Sequence, residues 1–124
     1  MNHNTGFIKL VEDARSRVQE TDVSTVKEML DANETFHLID VREESEWERG
    51  RLPEAEHIGK GVLEAKIESI IPNHEAHIVL YCGGGYRSVL AADNLKKMGY
   101  KNVISMDGGY RDWKEHGYEI VDSA

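Results

Sequence analysis

"HIVLYCGGGYRSVLAADNLKKMG" (residues 77–99) is the stretch whose reading decides the fold. It opens on a short continuous apolar run, "HIVLYC" (77–82), rich in β-formers. Runs of this kind suit strands buried on both faces of a parallel sheet. It closes on "SVLAADNLKKMG" (88–99), where Val89, Ala92, Leu95 and Met98 share one helical face. Lys96 and Lys97 complement the negative end of the helix dipole, and Gly99 suits the position just past the helix. Between strand and helix lie three glycines and the only cysteine in the chain, Cys82.

Outward from this unit the same alternation repeats. "FHLIDV" (36–41) and "NVISM" (102–106) read as further buried strands, and Val23 and "HIG" (57–59) as two short ones. Phe7, Leu10, Val11, Ala14 and Val18 predict an amphipathic helix over 6–19. Residues 24–33 read as a helix capped by Ser24 or Thr25, with a Thr25–Glu28 capping box. "ESEWER" (44–49) reads as a short helix ended by Gly50. Val62, Leu63, Ile67, Ile70 and Ile71 mark a helix stopped by Pro72, and 109–117 holds a last one. Strands alternating with helices predict an α/β domain with a central, mostly parallel five-stranded sheet and helices on both faces. In such sheets ligands bind at the C-terminal ends of the strands, where Cys82 falls.

The chain has 124 residues, 40% hydrophobic and 31% charged, which suits one core in one domain. Its formal net charge of −8 argues against nucleic acid or an anionic membrane as a partner. No apolar run approaches the ~20 residues of a membrane span, and the charged N-terminus does not read as a signal peptide. A lone cysteine implies a reducing, cytoplasmic setting.

The loop has a specific chemistry. Glycines allow the positive φ values of a tight turn and let a ligand reach backbone N–H groups, which form an anion-binding nest. The first turn of the following helix adds unpaired N–H donors, and Arg87 adds a full charge. That environment favours a thiolate, which is a nucleophile and a sulfur acceptor. Cys82 is therefore the candidate catalytic residue, with Gly83, Gly84, Gly85, Tyr86, Arg87 and Ser88 as its binding loop. The bland reading makes Cys82 a small buried hydrophobe and the glycines a tight turn. Tyr86 either faces the pocket entrance or covers apolar neighbours. Asp40 and Arg42, at the end of a neighbouring strand, are supporting candidates; a structural ion pair of Arg42 with Glu46 or Glu43 is the plainer reading. Trp47 and Trp113 read as packing residues, with Trp113 a candidate for the site's rim. His74 and His77 have a metal-like spacing but no further ligand nearby, so they read as loop histidines and no metal is expected.

"CGGGYRS" resembles the active-site loop of the rhodanese family, Cys-x-x-Gly-x-Arg-Ser. "LIDVREESEWERGRLPEAEHI" (38–58) and "MDGGYRDWKEHGYEIV" (106–121) are similar to two further family segments in order and spacing. Arg51 stands where the family usually has histidine, and Glu54 where it has a second glycine; both are expected to alter a turn. The resemblance implies a rhodanese-like domain over residues 21–122; residues 1–20 lie outside it and, by their apolar spacing, read as an N-terminal helical extension. It implies a sulfurtransferase that carries sulfane sulfur as a persulfide on Cys82 and needs no cofactor. The donor would be thiosulfate or a low-molecular-weight or protein persulfide, and the acceptor a thiol or cyanide. With Arg87 the only basic side chain in the loop of an acidic protein, a neutral or protein-borne persulfide donor is expected, with thiosulfate used weakly. A cysteine-based phosphatase or arsenate reductase of the same fold would need five residues between cysteine and arginine, and here there are four. A non-catalytic binding or regulatory module is the remaining alternative.

Overall fold

A computed structural model describes residues 4–122, which form five strands and six helices in alternation. The strands are β1 (Gln19–Thr21), β2 (His37–Asp40), β3 (Glu56–His57), β4 (His77–Tyr81) and β5 (Asn102–Met106). The helices are α1 (Thr5–Arg15), α2 (Val23–Asp31), α3 (Glu44–Arg49), α4 (Lys60–Ile70), α5 (Arg87–Lys97) and α6 (Gly109–Glu115). The sheet runs β1-β5-β4-β2-β3, and every pairing is parallel.

β4 lies at the centre, and its side chains alternate between two cores, as a strand's geometry requires. Ile78, Leu80 and Cys82 face α4 and α5, packing with Leu63, Ile67, Ala91 and Leu95. Val79 and Tyr81 face the other way, toward α2 and α6, packing with Val26 and Trp113. A third, smaller cluster joins Val11 and Ala14 of α1 to Val89 of α5. Arg17, just after α1, pins this arrangement with a bidentate pair to Asp93 on α5, at 3.0 and 2.8 Å.

Several local expectations need correction. Val23 starts α2, and the first strand is the polar segment just before it. The α2 cap is Asp22, in extended backbone, whose side chain accepts from Thr25 N at 2.8 Å; no Thr25–Glu28 box is needed. Leu10, Val62 and Ile70 lie on the apolar faces by spacing but are exposed. α1 packs its apolar face mainly on α5, so a narrower stripe suffices there. Trp113 is fully buried, its Nε1 donating to Glu119 O, and takes no part in the rim. Among the described residues no helix is long and apolar enough to cross a membrane, and no group of metal-ligating side chains gathers. His74 instead stacks on Tyr100, with ring centroids 4.3 Å apart.

Candidate functional site

The parallel register brings the ends of β2 and β4 side by side, Asp40 pairing with Tyr81. The loop after β4 therefore faces the loop after β2, and Cys82 sits between them on the floor of a cavity of about 530 Å³. The residue is only 1% exposed. Its Sγ accepts hydrogen bonds from Gly85 N at 3.1 Å and Ser88 N at 3.4 Å. The Ser88 hydroxyl lies 3.5 Å from the sulfur and 2.8 Å from the Ser105 hydroxyl on β5. Both serines are wholly buried. Donors converging on one sulfur, with no side chains from the loop glycines in the way, suit a sulfur that carries negative charge.

Two features turn the loop's N–H groups inward. Gly85 adopts φ +101°, a conformation side-chain-bearing residues rarely enter, which directs its N–H at Sγ. The loop carbonyls are meanwhile taken by α6: Tyr110 N donates to Cys82 O at 2.8 Å and Arg111 N to Gly83 O at 3.0 Å. The first turn of a helix has N–H groups without intrahelical partners, and here they find the loop. Gly109 makes this contact feasible, because a Cβ on it would collide with Cys82 O. The glycine pair of "MDGGYRDW" thus serves the cysteine loop from 27 residues away (109 minus 82).

The Arg87 guanidinium is not among the groups hydrogen-bonded to Sγ. Its guanidinium is held by Glu46 on α3, Nη1–Oε1 at 2.8 Å and Nη2–Oε2 at 3.1 Å. The hydrogen bond from Arg87 keeps the Glu46 carboxyl below the ordinary carboxylate range, despite partial burial. Glu46 Oε1 also accepts from Glu43 N at 3.0 Å, so the first turn of α3 is fixed by the same carboxylate.

Arg42 takes a different partner from the expected Glu46 or Glu43. It folds back on Asp40, with Nε 3.0 Å from both carboxylate oxygens and Nη2 2.7 Å from Oδ2, and donates to Gly50 O at 2.7 Å. Both groups are buried. Burial, the largest single influence, disfavours the charged guanidinium, but the Asp40 hydrogen bonds and the negative charge of Asp40, helped by Tyr81 and Glu46, together raise the Arg42 pKa. The Tyr110 ring covers Arg42, its centroid 4.2 Å from Cζ. Asp40 and Arg42 thus brace the floor beside the cysteine loop rather than contact Sγ.

Tyr86 has contacts on two sides. It lines the cavity and also packs on α1, its ring centroid 6.2 Å from that of Phe7, with Arg15 Cζ 5.5 Å above it. Phe7 joins it in the cavity wall. Five contributors escaped the sequence reading of the site: Glu46, Phe7, Ser105, Tyr110 and Arg111. Only Phe7 gave a signal, as an apolar residue near the exposed end of an amphipathic helix.

The two departures in the β2–β3 segment are accommodated locally. Arg51 stacks over Trp47, Cζ to ring centroid 4.4 Å, and donates to Trp47 O. Glu54 sits at φ +63°, the left-handed region that favours glycine.

Comparison with known proteins agrees with this geometry. Residues 22–116 match the family model described as a rhodanese-like domain. A Bacillus subtilis protein named provisionally as a sulfur carrier is 36% identical over 98 residues, which are 79% of this chain but only 52% of that one. A sulfurtransferase of Allochromatium vinosum is 30% identical over 104 residues, 84% of this chain and 95% of its own. A solved structure from Rhodopseudomonas palustris, of unknown function and described as a candidate tyrosine phosphatase, superposes with a TM-score of 0.87 at 25% identity, covering 98% of each chain. The match to the family model over most of the chain, with relatives named for sulfur transfer, establishes that this chain belongs to the rhodanese-like domain family.

Proposed function

We propose that the protein is a sulfurtransferase that carries sulfane sulfur on Cys82. The observation behind this reading is the convergence of Gly85 N and Ser88 N on Sγ at the floor of an open cavity. In the first half-reaction the Cys82 thiolate attacks the sulfane sulfur of a donor such as thiosulfate or an organic persulfide. The donor's S–S bond breaks, and sulfite or a thiolate leaves with the bonding electron pair. Cys82 is left as a persulfide. In the second, a thiol or cyanide attacks the outer sulfur, and Cys82 departs as a thiolate. The negative charge stays on sulfur throughout, so donors that hold it serve both halves.

Each loop residue has a role in this reading. Gly83, Gly84 and Gly85 keep the approach to sulfur clear; Ser88 adds a hydroxyl; Tyr86 and Arg87 shape the wall. Asp40 and Arg42 support the floor. The Arg87–Glu46 pair also weighs against a phosphatase, because the cation that would hold a phosphoryl group is already taken by a carboxylate. The reading sets the protein in a reducing, cytoplasmic compartment, where a lone cysteine keeps its thiol.

The test is intact-mass spectrometry after incubation with thiosulfate, and separately with glutathione persulfide. The expected result is addition of one sulfur atom, confined to Cys82, removed by cyanide or a thiol, and absent in Cys82→Ser. No adduct with any donor, or turnover of a phosphate monoester at a comparable rate, would overturn the assignment.

A further inference from the structure

The cations around the cavity are not equivalent. Arg42 is taken by Asp40 and Arg87 by Glu46. Arg111, in the first turn of α6, also lines the cavity, is exposed, and has no carboxylate partner among the described residues. Its guanidinium lies against the backbone of Gly84, so closely that a Cβ there would collide with Nη2. Its own backbone N–H is anchored to Gly83 O at 3.0 Å. The uncompensated positive charge of the site therefore stands beside the cysteine loop, not within it. The sulfur has its own donors in the loop, so this charge is placed for a different part of the substrate.

The cavity describes the rest of that substrate. At about 530 Å³ it falls in the range of organic ligand sites and far exceeds the needs of a five-atom inorganic anion. Its wall carries the rings of Phe7, Tyr86 and Tyr110, which reward an organic body over a bare dianion. A planar guanidinium at the rim matches a carboxylate in bidentate geometry.

Resting on the sulfurtransferase reading above, we propose that Arg111 is a specificity-determining residue that binds the carboxylate of an organic persulfide donor while Cys82 takes its outer sulfur. The Cys82 thiolate attacks the terminal sulfur of R–S–SH. The donor's S–S bond breaks, R–S⁻ leaves with the electron pair, and the terminal sulfur keeps its hydrogen as Cys82–S–SH. Arg111 holds the carboxylate of R and takes no part in the bond changes.

The experiment measures kcat and KM separately for the wild type, Arg111→Gln and Arg111→Lys. The donors are glutathione persulfide, the same persulfide with both carboxyls esterified, and thiosulfate. A charged hydrogen-bonded pair predicts a loss in kcat/KM of about ten-fold or more for Arg111→Gln with glutathione persulfide, mainly through KM. The esterified donor should change by less than about two-fold, and Arg111→Lys should recover part of the loss because it keeps the charge without the fork. Equal losses with both persulfides would mean that Arg111 acts on the loop backbone, and a loss with thiosulfate alone would assign it to an inorganic anion; either overturns the proposal. The two readings fail separately. A wild type that loads sulfur on Cys82, with an indifferent Arg111→Gln, sinks only the Arg111 assignment. A wild type that loads no sulfur from any donor sinks the sulfurtransferase reading itself.

Discussion

Glu46 on α3 grips Arg87 at the start of α5 through two hydrogen bonds, 2.8 and 3.1 Å, across 41 residues of sequence. The pair closes one side of the cysteine loop: a Cβ on Gly83 would meet Arg87 Nη2 at 3.0 Å. It also cancels a charge that would otherwise draw anions to the cavity. Glu46→Gln leaves Arg87 uncompensated, so KM for the dianion thiosulfate should fall by roughly three- to ten-fold, an effect that shrinks as salt is added. An esterified persulfide should show no such change. Initial-rate measurements at low and high ionic strength check this; a thiosulfate KM that holds or rises in the variant refutes it.

The contact between Gly109 and the Cys82–Gly83 backbone makes a second prediction. Gly109 holds φ +56°, and its Cα faces Cys82 O and the Gly83 carbonyl directly. Gly109→Ala adds both left-handed strain and a backbone collision, so a loss of about 1–3 kcal/mol in unfolding free energy is expected. The activity loss should exceed that of an equally destabilised core variant, because parting α6 from the loop frees the two carbonyls that orient it. Gly61→Ala is the control: nothing lies within 4 Å of its Cβ position in α4, and alanine there should stabilise by up to about 1 kcal/mol. Denaturant melts and single-turnover sulfur loading read both.

How much of this was legible follows from where each signal lives. The β4–loop–α5 unit could be read because its apolar run, glycines and helical face are contiguous in residues 77–99. The sheet followed from the alternation of such units. The edge strand Gln19–Thr21 could not, because it is short, polar and largely exposed, and only pairing with β5 defines it. Glu46 and Arg111 each look like ordinary solvent-facing charges on short helices. Their importance comes from the crossovers that bring α3 and α6 to one end of β4, which no local pattern encodes. Ser105 is hidden for the same reason: only the parallel register sets β5 beside β4 and brings its hydroxyl to Ser88.

The tie between the N-terminal segment and the body is an ion pair with a definite pH response. Asp93 is buried, and its hydrogen bond from Arg17 holds its carboxyl below the ordinary aspartate value, with Lys97 assisting at 3.4 Å. A carboxyl whose pKa is lower folded than unfolded stabilises the fold above its unfolded value, about 3.9. That contribution fades as pH falls through the lower, folded value. Hydrogen-exchange protection of α1 amides, corrected for intrinsic rates, should therefore hold steady from neutral pH to about 5 and drop below about 4. Asp93→Asn should lower protection at neutral pH and flatten the profile. Because Phe7 of α1 lines the cavity, the same variant should raise KM for a bulky persulfide more than for thiosulfate. Unchanged α1 protection in Asp93→Asn would show that the apolar contact with α5 holds the helix alone.

Glu54 offers a gain of stability rather than a loss. At φ +63° it occupies a conformation that costs an L residue about 1–2 kcal/mol and costs glycine almost nothing. Glycine also loses more freedom on folding, which takes back about 0.4–1 kcal/mol. The balance favours Glu54→Gly by about 0.5–1 kcal/mol, a rise of a few degrees in Tm for a chain of this size. Glu54→Ala keeps the left-handed strain and should gain nothing, so the pair of variants separates backbone conformation from loss of the carboxylate. Glu54 is outside the cavity that holds Cys82, and kcat/KM should stay at the wild-type value in both. Calorimetric melts of the three proteins decide the matter: a Glu54→Gly that melts at or below the wild type would mean that the side chain, not the turn, sets the energy of this corner.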